Sequence, residues 1–278
     1  MTLHRPQTLD AALKLAARGL PILAGGTDLY PALRDGPAPD AMLDLTAVAG
    51  LRGITLDAGH WRIGAATTWT DIIRAGLPPQ FAGLVAAARE VGSVQIQNTA
   101  TVAGNLCNAS PAADGVPPLL TLDAEVELAG RDGLRRLPLA RFITGVRRTA
   151  RDPGEIVTAI HIPDRPAARA GFVKLGARRY LVISIAMTAV LIETEGEVIT
   201  RAAVAVGACS PVAQRLATLE TALTGARMAD MPEICADTPL PELTPIDDIR
   251  ASAAYRITAP RTLIARALTQ AFSTPDAE

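Results

Sequence analysis

Sixteen consecutive residues, Thr99-Ala-Thr-Val-Ala-Gly-Asn-Leu-Cys-Asn-Ala-Ser-Pro-Ala-Ala-Asp114, contain no Lys, Arg, Glu, Phe, Tyr or Trp. Side chains this small let a backbone approach a ligand closely, glycine permits positive φ, and exposed amides in such a loop form a concavity for anions. Thr101, Asn105, Asn108, Ser110 and Asp114 add neutral donors and acceptors plus one carboxylate. That set suits phosphate oxygens, ribose or ribityl hydroxyls and the polar edge of a ring. Leu23-Ala-Gly-Gly-Thr-Asp-Leu29 has the same character, and a strand, a Gly-Gly turn and a helix N-terminus in succession aim unpaired amides at one point. Two amide-rich loops suggest one ligand bearing a pyrophosphate. Neither loop reads GxGxxG or GxxxxGK[ST], so Rossmann and Walker-type sites lose support. No His lies near, and Cys107, the stretch's only thiol, has no activating partner in sequence, which argues against nucleophilic catalysis. Asn108-Ala-Ser110 matches a glycosylation sequon, but it carries no meaning without a secretory signal.

The elements that must hold these loops can be read from pattern. Thr8 caps a helix over 10–17, Pro21 to Ala24 reads as a short buried strand, and Thr27 is the expected N-cap of a helix over 28–33. Short strands follow at 41–44, 51–56 and 61–63, then a helix over 69–74 capped by Thr67 or Thr68, and another over 81–91. His60, Trp61 and Trp69 read as structural. Strands at 123–129 and 134–137 flank a turn at Arg131-Asp-Gly133, and 155–162 alternates as a further strand. Pro163-Asp-Arg-Pro166 breaks the pattern and marks a domain boundary. Beyond it, strands at 171–175, 185–193 and 198–207 predict a three-stranded antiparallel sheet. Helices are expected over 214–223, 228–235 and 258–272, the last amphipathic. The fold class is α+β.

A length of 278 residues favours two domains or subdomains, each able to bury a core. The formal net charge of -1 and a pI near 6.3 remove the electrostatic footprint of a nucleic-acid binder. Cys107, Cys209 and Cys235 form no CxxC pair and cannot hold an iron-sulfur cluster unaided. An odd cysteine count without a secretory segment reads as reduced and intracellular. The N-terminus lacks an apolar h-region and no apolar run reaches membrane-spanning length, so a cytoplasmic location is expected. Lys14 and Lys174 are the only lysines among 27 basic residues. Lys14 reads as a solvated surface charge. Lys174, inside the apolar pattern Gly171-Phe-Val-Lys-Leu-Gly176, reads equally as a ligand contact or a structural charge.

Five motifs in register carry a resemblance to a known family: Leu23 to Leu29, Gln95 to Asn105, Asn108 to Asp114, Gly171 to Arg179 and Arg250 to Arg256. Together they resemble the FAD-binding (medium) subunit of xanthine dehydrogenase and carbon monoxide dehydrogenase-type molybdenum hydroxylases, over nearly the whole chain. The resemblance implies a two-subdomain FAD-binding fold of the vanillyl-alcohol oxidase (PCMH) type over 1–55 and 56–165, followed by a C-terminal domain over 166–278. It implies FAD as the cofactor. Leu23, Ala24, Gly25, Gly26, Thr27, Asp28 and Leu29, with Thr101, Val102, Ala103, Gly104 and Asn105, would wrap the pyrophosphate through backbone amides. Asp114 would bond hydroxyls or a ring edge, Val157 would pack on the flavin, and Lys174 would be the flavin-contacting lysine. The implied role is electron transfer with no acid-base side chain. Electrons from a molybdenum cofactor in a large partner would pass through two [2Fe-2S] clusters in a small partner to the flavin, then to NAD, a quinone or oxygen, in a dimer of heterotrimers. Ala103 stands where the family usually has Gly, and Tyr180 to Ile183 replace acidic residues of some NAD-reducing relatives, which weakens NAD as the acceptor. The rival classes are a self-contained flavin oxidoreductase of the vanillyl-alcohol oxidase fold and a nucleotide-binding scaffold with no redox role. The first would need convergent acid-base residues.

Overall fold

The computed structural model describes residues 1–33 and 36–273. A small parallel sheet comes first, built from β1 (Thr2–His4), β2 (Ile22–Leu23) and β3 (Ala41–Asp44) in the order β1-β3-β2. Between them lie α1 (Leu9–Ala16), whose N-cap Thr8 accepts from the Ala11 amide, and the short α2 (Leu29–Leu33). Parallel strands need crossover connections, which α1 and the following turn supply.

A five-stranded antiparallel sheet follows, in the order β4-β5-β10-β6-β7. Its strands are β4 (Ile54–Asp57), β5 (His60–Gly64), β6 (Glu125–Gly130), β7 (Gly133–Pro138) and β10 (Ile156–Pro163). The long excursion between β5 and β6 carries five helices: α3 (Trp69–Arg74), α4 (Ala82–Glu90), α5 (Val94–Thr99), α6 (Val102–Asn108) and α7 (Val116–Thr121). They bury Trp69, Phe81, Leu84, Leu106 and Leu119 against Ile63, Val126, Leu128 and Ile160 of the sheet. Between β7 and β10, α8 (Leu139–Phe142) leads into a ribbon of β8 (Ile143–Gly145) and β9 (Arg148–Thr149).

The C-terminal part is a β-sheet under a helical layer. Its strands β11 (Arg169–Leu175), β12 (Ala186–Glu195), β13 (Val198–Gly207) and β14 (Gln214–Arg215) are antiparallel in that order. Helices α9 (Ala217–Leu223), α10 (Met231–Asp237) and α11 (Ala253–Ser273) cover one face. Residues 186–192 are buried without a break because both faces are covered: Val190 and Ile192 pack with Ile264 and Leu268 of α11, while Leu191 joins the core of the preceding sheet. The backbone of α11 comes so near β11 that a Cβ on Gly171 would meet the Ala267 carbonyl. Where the two parts join, Asp123, held at φ 52°, takes Arg165, Arg201 and Arg215 as ion-pair partners.

Four expectations need correction. The C-terminal sheet has four strands, because Gln214 and Arg215 pair with Val206 and Ala205 before α9 begins; two residues are too few to show a period. Among the described residues the Thr27 side chain makes no capping hydrogen bond, and α2 starts at Leu29. Thr99 to Asp114 is not one loop but a helix end, α6 and a turn: the Thr101 side chain accepts from the Gly104 amide and starts the helix. Small residues that suit a loop suit a capped helix equally. The closing helix starts at Ala253, five residues before the expected Thr258.

Candidate functional site

A cleft of about 470 Å³ lies where the first sheet, the α5–α6 connection and one end of the inner strands β5 and β10 meet. Its first wall is the turn after β2. Gly26 sits at φ 69°, and the N–H groups of Gly25, Gly26, Thr27 and Asp28 find no protein acceptor among the described residues. Gly25 is required for a different reason. A Cβ there would lie 2.6 Å from the Thr99 carbonyl carbon and 2.7 Å from Ala100 Cα, and nearer still to the Thr99 oxygen. The two glycine-bearing segments therefore touch through bare backbone.

The second wall is the start of α6. Val102 N–H donates to Thr67 O, Gly104 N–H to Thr101 Oγ1, and Asn105 N–H to Thr101 O; the Thr101 and Ala103 amides find no acceptor among the described residues. Ala103 occupies an ordinary helical position, so its Cβ is accommodated without strain. Thr101, Val102, Gly104 and Asn105 thus serve the helix through their backbones, rather than presenting the continuous row of free amides expected from the loop reading. The Asn105 side chain enters the cleft with Oδ1 buried and unpartnered. Val157 lines the opposite side at a register shift in β10, between the positions paired with Leu128 and Glu127.

Ala24, Gly25, Gly26, Thr27, Asp28, Leu29, Thr101, Ala103, Gly104, Asn105 and Val157 all line this one cleft, although up to 133 positions separate them in sequence. Four expected residues do not. Leu23 ends β2 as a buried packing residue, and Val102 points into the core. Lys174 and Asp114 are withdrawn from the cleft into a buried pair: Lys174 Nζ donates to Asp114 Oδ2 at 2.7 Å and to Glu90 O at 3.2 Å, and Ser184 Oγ donates to Asp114 Oδ1 at 2.8 Å. Burial pushes the Asp114 carboxyl up, opposed by the Lys174 charge and the hydrogen bonds from Lys174 and Ser184. The ammonium is thus engaged within the fold by Asp114 and the Glu90 carbonyl.

Charge in the cleft is sparse. Asp28 pairs with Arg147, on the β8–β9 ribbon, at 2.8 Å, which ties the β2 turn to that ribbon. Among the described residues Arg151 is the one cationic side chain in the lining, and its Nη1 donates to Glu155 O at 2.9 Å. Sequence reading missed Arg151, because one Arg among many carries no local signal. Cys107, one helical turn beyond Ala103, faces the same space. Desolvation pushes its thiol up to about 11 against the opposing charge of Arg151, although the residue is exposed on the cleft wall. None of His4, His60 or His161 lines the cleft.

The described residues suit a dinucleotide: small residues on two walls, a set of unpaired amides, the Arg151 guanidinium and buried polar atoms awaiting partners. A side chain at Gly25 would fill the cradle, which matches a group needing close backbone approach. Among the described residues no cluster of His, Cys, Asp or Glu could hold a metal, and no helix is long and apolar enough to cross a membrane.

Comparison with known proteins agrees with that reading. Residues 1–165 match the FAD binding domain in molybdopterin dehydrogenase, and residues 172–271 match the CO dehydrogenase flavoprotein C-terminal domain. The chain is 31% identical over 276 residues to the xanthine dehydrogenase FAD-binding subunit of Escherichia coli O157:H7, covering 96% of this chain and 94% of that protein. It is 29% identical over 253 residues to the nicotine 6-hydroxylase medium subunit of Paenarthrobacter nicotinovorans, covering 90% and 89%. In structure it superimposes on a chain of carbon monoxide dehydrogenase from Hydrogenophaga pseudoflava with a TM-score of 0.89 and 26% identity, over 98% of this chain and 97% of that one. This chain therefore belongs to the FAD-binding subunits of the molybdopterin dehydrogenases, the xanthine and carbon monoxide dehydrogenase family of oxidoreductases.

Proposed function

We propose that this chain is the FAD-carrying electron-transfer subunit of a molybdenum-containing hydroxylase or dehydrogenase. The observation that carries the reading is the convergence of unpaired amides from two glycine-bearing segments on one cleft, in a chain whose family is FAD-binding. The amides of Gly25 to Asp28 and of Ala103 would bind the pyrophosphate, Arg151 would offset its charge, and Val157 would pack against a ring. FAD supplies a centre that exchanges electrons one or two at a time. The protein's share is to bind it, exclude bulk water from its apolar faces and set the charge around it. Lys174 would act on the flavin's electronics only through the field of its pair with Asp114, which is weaker than that of a bare ammonium.

The partners in this proposal are a large subunit with the molybdenum cofactor and a small subunit with [2Fe-2S] clusters, assembled as a dimer of heterotrimers. The final acceptor would be NAD, a quinone or oxygen. Divisions at 1–55, 56–165 and 166–278 belong to the same proposal; β4 starts at Ile54, so moving the first boundary to Gly53 would keep that strand whole. Among the described lining residues there is no His, and the single carboxylate, Asp28, is engaged by Arg147. This favours electron transfer over a self-contained flavin oxidoreductase, which needs its own acid-base groups. The test is the absorbance spectrum of the purified chain with cofactor extraction, before and after incubation with FAD. Bound, extractable FAD is expected, and a colourless protein after reconstitution would refute the proposal.

A further inference from the structure

Two buried polar atoms near the α6 start lack any hydrogen-bond partner: Trp69 Nε1, a donor, and Asn105 Oδ1, an acceptor. Both residues line the cleft. Their side chains meet over Gly115, where a Cβ would stand 3.0 Å from Trp69 Cζ2 and 3.0 Å from Asn105 Oδ1. Trp69 is fully buried and its backbone N–H is held by Ala100 O, so its ring is fixed by packing. The chain's other tryptophan behaves normally, with Trp61 Nε1 donating to Asp164 Oδ1 at 2.7 Å. Leaving a buried donor and a buried acceptor unmade costs free energy at each atom, and native proteins leave few of them. An unpaired donor and an unpaired acceptor on two side chains that both abut Gly115 match a hydroxyl, which accepts from the first and donates to the second.

We infer that Trp69 is a cofactor-contact residue whose indole N–H, together with Asn105 Oδ1, receives a sugar or ribityl hydroxyl of the bound dinucleotide. The inference rests on the FAD-binding reading above and assigns to Trp69 a role beyond packing. Phosphate would be a poorer occupant, because it brings no proton for Oδ1. The indole would also fix which part of the dinucleotide lies beside α6, since an apolar ring edge placed there would leave both protein atoms unpaired.

The test uses the full chain. In wild-type protein carrying indole-labelled tryptophan there are two indole N–H resonances, and that of Trp61 serves as the internal reference. On saturation with FAD the Trp69 resonance is expected to move downfield and to exchange more slowly with solvent. Trp69→Phe keeps an aromatic side chain while removing the donor and the second ring, and should weaken FAD binding about three- to tenfold. Asn105→Ala should weaken it similarly, and the double variant should lose less than the product of the two, because one hydroxyl serves both. An unmoved Trp69 resonance in FAD-saturated protein would overturn the inference and leave only an ordered water at these atoms, even if Trp69→Phe fails to fold. A folded Trp69→Phe with unchanged affinity would overturn it as well. Both results leave FAD binding intact, whereas wild-type protein that takes up no FAD defeats the functional reading itself.

Discussion

Gly25→Ala isolates the close approach on which the cleft depends. Gly25 does not lie at positive φ, so alanine suffers no backbone strain there and the whole effect is steric. Its Cβ would stand 2.6 Å from the Thr99 carbonyl carbon, where ordinary contact begins at 3.4 Å. The obstacle is backbone, with no rotamer to yield, so the β2 turn and the α5–α6 connection must separate by about 1 Å. Overpacking of this kind costs about 1–3 kcal/mol, enough to lower the melting temperature of FAD-free protein by several degrees. The effect on FAD is larger. A 1 Å retreat takes an amide from bonding distance to beyond it, and two lost amide–phosphate bonds at about 1.5–3 kcal/mol each correspond to at least ~100-fold in Kd. Gly19→Ala is the control: it sits at φ 75° with nothing within 4 Å of a new Cβ, so it should cost about 1–2 kcal/mol in stability through strain alone and leave FAD affinity unchanged. Thermal denaturation of FAD-free protein and FAD titration followed by calorimetry measure the two effects. A folded Gly25→Ala variant that binds FAD within about threefold of wild type would refute the reasoning.

Three further outcomes follow from charge and exposure. Burial drives His161 below its usual 6.5, partly countered by its bond to Glu127 at 2.8 Å, so the unfolded chain protonates first. Stability should be full above about pH 6.5 and fall as the pH drops through the folded pKa; His161→Gln should flatten that part of a melting-temperature profile, and an unchanged slope would remove His161 from the effect. Cys107 should react slowly with iodoacetamide near neutral pH, faster as the pH approaches 11, and more slowly still with FAD bound, while buried Cys209 and Cys235 stay unlabelled. Peptide mass spectrometry reads this, and labelling of Cys107 indifferent to FAD would contradict its place on the cleft wall. Asp123→Ala strips three arginines of a shared carboxylate and should cost about 2 kcal/mol in denaturant unfolding with little change in FAD affinity.

Much of the fold was open to reading along the chain. Alternation located most strands, Thr8 was identifiable as a cap and Thr68 as one of two candidates with Thr67, and the Pro163 to Pro166 break coincides with the end of β10. These features depend on neighbours within a few residues, so local propensity and periodicity expose them. The small-residue stretch around Thr101 and the Gly25-Gly26 turn pointed through composition alone to segments able to approach closely, and the structure brings Gly25 against Thr99 and Ala100. By itself the sequence thus located most strands and several helices and, through five motifs in register, pointed to the family, while it missed that 102–108 is helical.

Pairings over long separations were decided by packing. Lys174 resembled a ligand contact because an isolated cation in an apolar strand is conspicuous, yet the fold brings it to Asp114, sixty positions earlier, and partly cancels its charge. Trp69 was indistinguishable from any core aromatic until its indole N–H proved to have no partner, and Arg151 from any other arginine until it proved to line the cleft. Whether a polar atom is satisfied depends on every element around it, and no window of sequence contains that information. The sequence determined that two bare segments of backbone could cradle a ligand; only the tertiary structure decided that Gly25 rests against Thr99 and which side chains are left with a hydrogen bond to make.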